Sequence, residues 1–193
     1  MVSRILLVLS ALGFSSLQAQ DSRLQTRLPA EVASQVQGLV DSAAQNGLPT
    51  EPLIQKALEG QSKGAEGARI VAAVRTLSGQ LGESRTALGP DAPEADIVAG
   101  AACLKAGATP AMITELRRLR PEQSVAVPLG VLSDLVALGV DVPKAWEQVH
   151  SLAAAHGPDT DFLALRDRAS APNTKQPPGP VQPKLVPSAN SPP

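Results

Sequence analysis

The stretch Gly139-Val140-Asp141-Val142-Pro143-Lys144-Ala145-Trp146 decides the fold, because in it the end of one helix is followed directly by the start of another. Gly139 can take the left-handed backbone conformation that closes many helices. Asp141 is predicted to cap the next helix by accepting a hydrogen bond from a backbone N–H. Pro143 falls in the first turn, where a missing N–H has no partner to lose. The stretch therefore predicts two helices joined by a tight turn.

The same order of a glycine and a capping residue recurs along the chain, at Gly47 to Thr50, Gly89 to Asp91, Gly107 to Thr109 and Gly157 to Asp159. Apolar residues between these positions repeat at helical spacing, and no segment alternates convincingly with the period of two that a strand needs. The sequence thus predicts an all-α fold of about eight short helices in helical hairpins. It leaves two arrangements open, a compact bundle and an irregular α-solenoid.

Three local features give further expectations. Asp91 and Glu94 have the spacing of a capping box, with Asp in place of Ser or Thr. The helix that carries Ile70 is expected to be weakened by Gly79 near its end and to fray through residues 84–88. Residues 121–127 are expected to form a coil or turn before a helix that starts at Pro128, with a short strand as the competing interpretation.

The two ends of the chain differ from the middle. Residues 1–19 are typical of a secretory signal peptide, with Arg4 before an apolar run and Ala19 at the predicted cleavage site. Residues 20–28 are predicted to be a loose, polar N-terminal segment. Residues 29–169 are predicted to form a single all-α domain. Residues 170–193 contain eight of the eighteen prolines and are predicted to be a Pro-rich, disordered tail that acts as a spacer or contact segment.

Composition argues against several classes of function. The formal net charge is −1, so electrostatics gives no reason to expect binding to nucleic acid or to an anionic membrane. The apolar run of the signal is too short to span a bilayer, and we expect no stable membrane anchor after cleavage. The chain has one Trp, two Phe and no Tyr, so the core must be built mainly from aliphatic side chains.

The single cysteine, Cys103, cannot form a disulfide within the chain. Its neighbours are Ala101, Ala102 and Leu104, which predict a buried thiol that behaves as a small apolar side chain. A reactive thiol is the alternative, and it would need a nearby positive charge or base to lower its pKa.

Two motifs resemble catalytic or metal sites at the level of spacing. Gly60-Gln61-Ser62-Lys63-Gly64 matches the pattern of a nucleophile elbow, but that device requires a preceding strand, and none is predicted here. Glu147 and His150 have the spacing of a carboxylate–histidine metal motif, but a metal site requires further inward ligands, and His156 is the only other histidine. We therefore assign no catalytic, cofactor-binding or metal-binding residue.

Four residues are candidates for contact with a partner: Arg117, Arg118, Arg120 and Trp146. The three arginines form the densest basic cluster, which suits an acidic partner or, alternatively, a solvated helix face with local ion pairs. The spacing of Trp146 with Val149 and Leu152 favours a core position, whereas an exposed Trp146 would be a contact hot spot.

The leading hypothesis is an exported helical interaction or scaffold module of a bacterial periplasm or cell envelope, without catalytic activity, whose partner is an envelope or periplasmic protein of unknown identity. The alternative is a helical bundle that binds a small ligand or a metal, or acts as an enzyme, using Glu147, His150 and the Arg117–Arg120 cluster, with or without Cys103. The helical-hairpin architecture does not choose between them, because many unrelated proteins share it.

Overall fold

The computed structural model describes residues 21–171, and in that range the chain forms nine α-helices and no strand. This confirms the all-α fold. The predicted signal peptide, residues 1–19, and the tail beyond Ala171 lie outside the described residues. The helices are α1 (Ser22–Arg27), α2 (Ala30–Gln45), α3 (Glu51–Ser62), α4 (Gly67–Leu88), α5 (Glu94–Ala106), α6 (Pro110–Leu119), α7 (Ala126–Ala137), α8 (Val142–Ala154) and α9 (Asp159–Ser170).

The described chain divides into two compact units, and the boundary between Ala101 and Ala102 falls within α5. In the first unit, α4 packs against α2 and α3, and α1 packs against the same two helices. In the second unit, α7 packs against α8 and α9, and α6 packs against α8.

Aliphatic side chains fill both cores, as the composition predicts. The first unit buries Leu24, Val36, Leu53, Val74 and Leu81 completely. The second unit does the same with Ile113, Leu116, Leu129, Leu132 and the aromatic side chain of Phe162. Each of these side chains lies on the apolar stripe of its helix, and their burial from water is the main favourable contribution to folding.

The helix ends follow a common geometry, which the Gly139 stretch shows best. Gly139 has a φ of 90°, and its N–H donates to the carbonyl of Val136 at 2.9 Å, while the N–H of Val140 donates to the carbonyl of Leu135 at 3.0 Å. This pair of bonds is the Schellman motif, which satisfies carbonyls that the helix leaves unpaired. The same pair closes helices at Gly47, Gly64, Gly107 and His156.

The helix starts differ from the prediction at Asp141 and Thr50. Both residues precede a helix with Pro in its first turn, as expected, but neither side chain makes a capping hydrogen bond. Thr109 does cap α6, since its hydroxyl oxygen accepts from the N–H of Met112 at 3.4 Å. The turn chemistry therefore located the helix starts, although it did not identify which side chains bond there.

Two further predictions of helix-capping residues were wrong. The predicted box of Asp91 and Glu94 does not form, because α5 begins only at Glu94, and the carbonyl of Pro93 accepts the first N–H bonds instead. Asp159 was expected to cap the last helix, but it lies inside α9, whose preceding residue is Pro158. An aspartate in the first helical turn still interacts favourably with the helix dipole.

Tertiary contacts explain two corrections to the element boundaries. Residues 22–27, within the segment expected to be loose, form α1, whose Leu24 is completely buried. Helix α4 does not fray after Gly82, because Leu81, Ser84 and Leu88 are all buried, and the hydroxyl of Ser84 donates to the carbonyl of Ile97 at 2.8 Å. Packing thus outweighs the weak helix propensity of glycine.

The segment before α7 agrees with the expectation of a turn. It contains no strand, and α7 begins at Ala126, two residues before Pro128, where the hydroxyl of Ser124 accepts from the N–H of Ala126 at 3.1 Å. Across the described helices, none combines the length and the apolar character that crossing a membrane requires.

Candidate functional site

Helices α6 and α8 bring four chemically distinct side chains together on the second unit. Glu115 and Arg118 are three residues apart on α6, and Trp146 and His150 are four residues apart on α8, so each pair shares one helix face. The two helices pack against each other, which sets the pairs side by side. These four residues are called the Trp146 patch below.

Electrostatic contacts hold the patch together across the two helices. Arg118 donates two hydrogen bonds to Glu115, from Nε to Oε2 at 2.8 Å and from Nη2 to Oε1 at 2.7 Å. Nε2 of His150 lies 3.4 Å from the same Oε1. The hydrogen bonds from Arg118, with a smaller contribution from His150, lower the pKa of Glu115 from about 4.5 to about 2. The carboxylate therefore stays ionised near neutral pH.

Trp146 is neither a core residue nor a fully exposed one. It is half-buried, so it lies between the core position that the sequence favoured and the exposed alternative. Its ring centroid lies 5.1 Å from that of His150, with an angle of 46° between the two planes. A tilted arrangement of this kind is favourable for two aromatic rings and leaves part of the indole accessible to a partner.

The proposed metal motif does not assemble. Glu147 is exposed, and His150 turns instead toward Glu115 of the neighbouring helix. Across residues 21–171, no three side chains of the types His, Cys, Asp and Glu come close enough to hold a metal ion. The residues named for the alternative function are therefore not brought together into one site.

The arginine cluster divides into three different roles. Arg118 is exposed and belongs to the patch, and Nη1 of Arg117 donates to the carbonyl of Gln123 at 3.1 Å. Arg120 was wrongly expected at the surface, since its side chain is only 4% exposed. The guanidinium of Arg120 donates to the carbonyl of Gly157 at 2.9 Å and to Asp159 at 2.6 Å. Consecutive residues on one helix point in different directions, so the cluster does not form one surface.

Cys103 is completely buried, as predicted, and lies on α5 within the second unit. Its thiol donates to the carbonyl of Leu129 at 2.8 Å and accepts from the hydroxyl of Ser133 at 3.2 Å. Burial raises the pKa of the thiol from 9.0 to about 11. Because the thiolate is the reactive form, this environment suppresses the nucleophilic chemistry that a catalytic cysteine needs.

The sequence resembling a nucleophile elbow is part of a helix end. Ser62 is the last residue of α3, and its hydroxyl donates to the carbonyl of Glu59 at 2.8 Å. Gly64, with a φ of 67°, closes the helix two residues later. The glycine spacing is therefore explained by the helix end rather than by the strained strand-to-helix turn of a hydrolase.

Two open surface cavities lie on the first unit. One, of about 400 Å³, is lined in part by Asn46, Leu48 and Arg85, and the guanidinium of Arg85 donates to the carbonyls of Asn46 and Pro90. The other, of about 420 Å³, is bordered by the ends of α3 and α4, where Lys56 and Lys63 both pair with Glu59. The guanidinium of Arg85 and the ammonium groups of Lys56 and Lys63 thus already have partners within the protein.

The sequence named Trp146 and Arg118, and it predicted local ion pairs between the arginines and the flanking Glu115, but it missed the cross-helix contact of Glu115 with His150. The spacing of Glu115 and Arg118 was a usable signal for a local ion pair. The contact between α6 and α8 had no sequence signal, since it depends on which face of each helix the tertiary packing presents. Comparison of the chain with protein-family models, with curated proteins and with solved structures gives no match.

Proposed function

We propose that this protein is exported and works as a non-catalytic helical interaction or scaffold module in a bacterial periplasm or cell envelope. We further propose that it binds a partner protein through the Trp146 patch. The signal-like residues 1–19 support the export, and the partly exposed indole of Trp146 carries the assignment of the binding surface.

The composition of the patch supports protein binding. Trp and Arg are enriched among the residues that dominate binding energy at protein interfaces. The indole of Trp146 offers a large apolar surface, and the side chain of Arg118, which is linked to it through Glu115 and His150, is 66% exposed. Glu115 and His150 add hydrogen-bonding groups at the edge of this aromatic surface. An apolar centre bordered by polar groups is the usual anatomy of an interface.

The test is a photo-crosslinking experiment in cells. A photoreactive amino acid replaces Glu147, which is exposed and directly follows Trp146, and a control carries the same group at the exposed Glu83 of α4. We expect a discrete crosslinked partner from position 147 and none of the same size from position 83. Trp146→Ala should reduce the yield at least tenfold, because a hot-spot residue contributes about 2 kcal/mol or more.

A matched variant separates loss of the hot spot from loss of any apolar side chain. Leu138→Ala removes a leucine that is 48% exposed at the end of α7, and it should leave the crosslinked yield unchanged. Cell fractionation and the mass of the purified chain test export, with a mature chain that begins at Gln20 as the expected result. A crosslinked yield that Trp146→Ala does not reduce would overturn the binding surface.

The alternative of a ligand-binding or metal-binding bundle, or an enzyme, takes Glu147, His150 and the three arginines as one set. Among residues 21–171 only Arg118 of these arginines is linked to His150, through Glu115, while Arg120 pairs with Asp159. We therefore develop only the interaction module.

A further inference from the structure

His150 lies between an aromatic ring and a carboxylate, which gives its protonation two consequences at once. Its ring centroid is 5.1 Å from that of Trp146. Its Nε2 is 3.4 Å from Oε1 of Glu115. A protonated imidazole would therefore form an ion pair with the carboxylate and a cation–π contact with the indole, whereas the neutral ring forms neither.

Glu115 is the one ionisable side chain that a helix packed against α8 places in contact with His150 among the described residues. Arg118 acts on His150 only through this shared carboxylate. On its own helix, Lys144 and Glu147 are exposed and unconnected to the ring. The remaining charged groups of the packed helices make no hydrogen bond or ion pair with His150 among the described residues. They are Arg117 on α6, Asp134 on α7, and Asp159, Asp161, Arg166, Asp167 and Arg168 on α9.

We propose that protonation of His150 regulates the Trp146 patch by converting a surface of zero net charge into a positively charged one that favours a partner with acidic side chains. This inference rests on the proposed function, because the patch that it regulates is the proposed binding surface. With a neutral imidazole, the charges of Glu115 and Arg118 cancel. With an imidazolium, the patch carries one net positive charge directly beside the indole that would contact the partner.

The state of Glu115 supports this mechanism. Since the pKa of Glu115 is about 2, the carboxylate remains charged over the range between pH 5 and 8 in which histidines commonly titrate. Glu115 therefore contributes no change of charge to the patch in that range. An exported protein meets the pH of its surroundings, so a surface of this kind would bind differently in acidic and in neutral conditions.

The composition of the chain allows the fluorescence and the histidine substitutions to be assigned to single residues. Trp146 is the only tryptophan, so its fluorescence reports on the patch alone, and the chain has only two histidines, His150 and His156. Iodide, an anionic quencher, measures the charge beside the indole, and neutral acrylamide measures its accessibility. The ratio of the two quenching constants thus isolates the charge effect.

We expect the ratio of the iodide to the acrylamide quenching constant to rise about twofold between pH 8 and pH 5 in the intact protein. One positive charge on His150, whose ring centroid lies 5.1 Å from that of Trp146, should raise the local iodide concentration about twofold at physiological salt. His150→Gln should abolish the rise, and the matched control His156→Gln should preserve it. A ratio that stays flat, or that still rises in His150→Gln, overturns the proposal.

A second readout links the charge change to binding. With the crosslinker at position 147, the yield of the partner should be several-fold higher at pH 5.5 than at pH 7.5, and His150→Gln should make the two yields equal. Equal yields in the unmodified patch would overturn the regulation while leaving the binding surface intact. Conversely, if quenching depends on pH but no partner is crosslinked at either pH, the proposed function fails and its regulation fails with it.

Discussion

Arg120 connects the end of α6 to the start of α9 through a buried guanidinium. Besides its bonds to Gly157 and Asp159, the guanidinium carbon lies 5.3 Å from the centre of the Phe162 ring. Its hydrocarbon stem fills space in the same region, as is common for long cationic side chains. One charged residue thus fixes the geometry of two helix ends in the second unit.

Substitution of Arg120 by Ala should lower the free energy of unfolding by about 2–3 kcal/mol, because two charge-assisted hydrogen bonds are lost and the buried carbonyl of Gly157 is left without its donor. Urea denaturation followed by the fluorescence of Trp146 measures the change. Arg118→Ala is the control, since an exposed ion pair contributes only about 0–1 kcal/mol. Equal effects of the two substitutions would contradict a structural role for Arg120.

His156 is the non-glycine residue that closes α8 in the left-handed region, with a φ of 55°. Replacement of His156 by Gly should raise the free energy of unfolding by about 0.5–1 kcal/mol, because the strain of a side chain at positive φ exceeds the entropy that glycine loses on folding. Thermal unfolding followed by circular dichroism measures the shift.

The matched control for His156→Gly is Gly139→Ala, which makes the opposite change in the same motif. Its φ of 90° should make Ala about 1 kcal/mol less stable there. If both substitutions change the unfolding temperature in the same direction, backbone strain at positive φ does not explain the effect of His156→Gly.

At the scale of the helix, α1 is a structural part of the first unit although it has only six residues. The N–H of Asp21 donates to Oε1 of Gln37 on α2 at 3.1 Å, and Arg23 pairs with Glu51 on α3 at 2.7 Å. Leu24 fills the space between these anchors. The polar sequence of this segment concealed its helix, because a single buried leucine gives no periodicity.

Leu24→Ala should therefore lower the free energy of unfolding by about 2–4 kcal/mol, the range expected when a fully buried leucine is truncated. Far-ultraviolet circular dichroism during urea denaturation gives the value. Leu138→Ala removes a leucine that is 48% exposed and should change the stability by less than about 1 kcal/mol. A small effect at Leu24 would mean that α1 is dispensable for the first unit.

The end of the longest described helix, α4, is stabilised by tertiary contacts rather than by the helix propensity of its residues. Gly79 and Gly82 made the end of α4 look weak, yet the helix runs to Leu88 and has 22 residues. Its later turns are held by buried side chains that contact other helices, and such contacts are invisible in a window of neighbouring residues. By contrast, helix starts marked by Pro, as at α6 and α8, were located well because proline acts on its own backbone.

At the scale of the whole molecule, three glutamates share one electrostatic behaviour. Glu51 beside Arg23, Glu59 beside Lys56 and Glu115 beside Arg118 each have a pKa lowered from about 4.5 to about 2. A carboxyl group with a lower pKa in the folded state stabilises that state only when ionised. Its contribution is therefore present above about pH 4.5 and is lost as the pH falls to about 2.

We expect the unfolding temperature to fall between about pH 4.5 and pH 2, and to fall less in the triple variant E51Q/E59Q/E115Q. Circular dichroism melts across this range measure both. High salt should reduce the difference between the two proteins, because the three ion pairs are exposed to solvent and are screened. An identical fall in the triple variant would show that other groups govern the acid response.

The sequence by itself determined the helical class, most helix ends and the aliphatic cores, because glycine, proline and apolar spacing act within a few residues of chain. Only the tertiary structure decided that Arg120 is buried, that Trp146 is partly exposed and that His150 meets Glu115. Each of these outcomes depends on which face of one helix packs against which face of another. That choice is made by the contacts of residues far apart in the chain, so it leaves no periodic signal in the sequence.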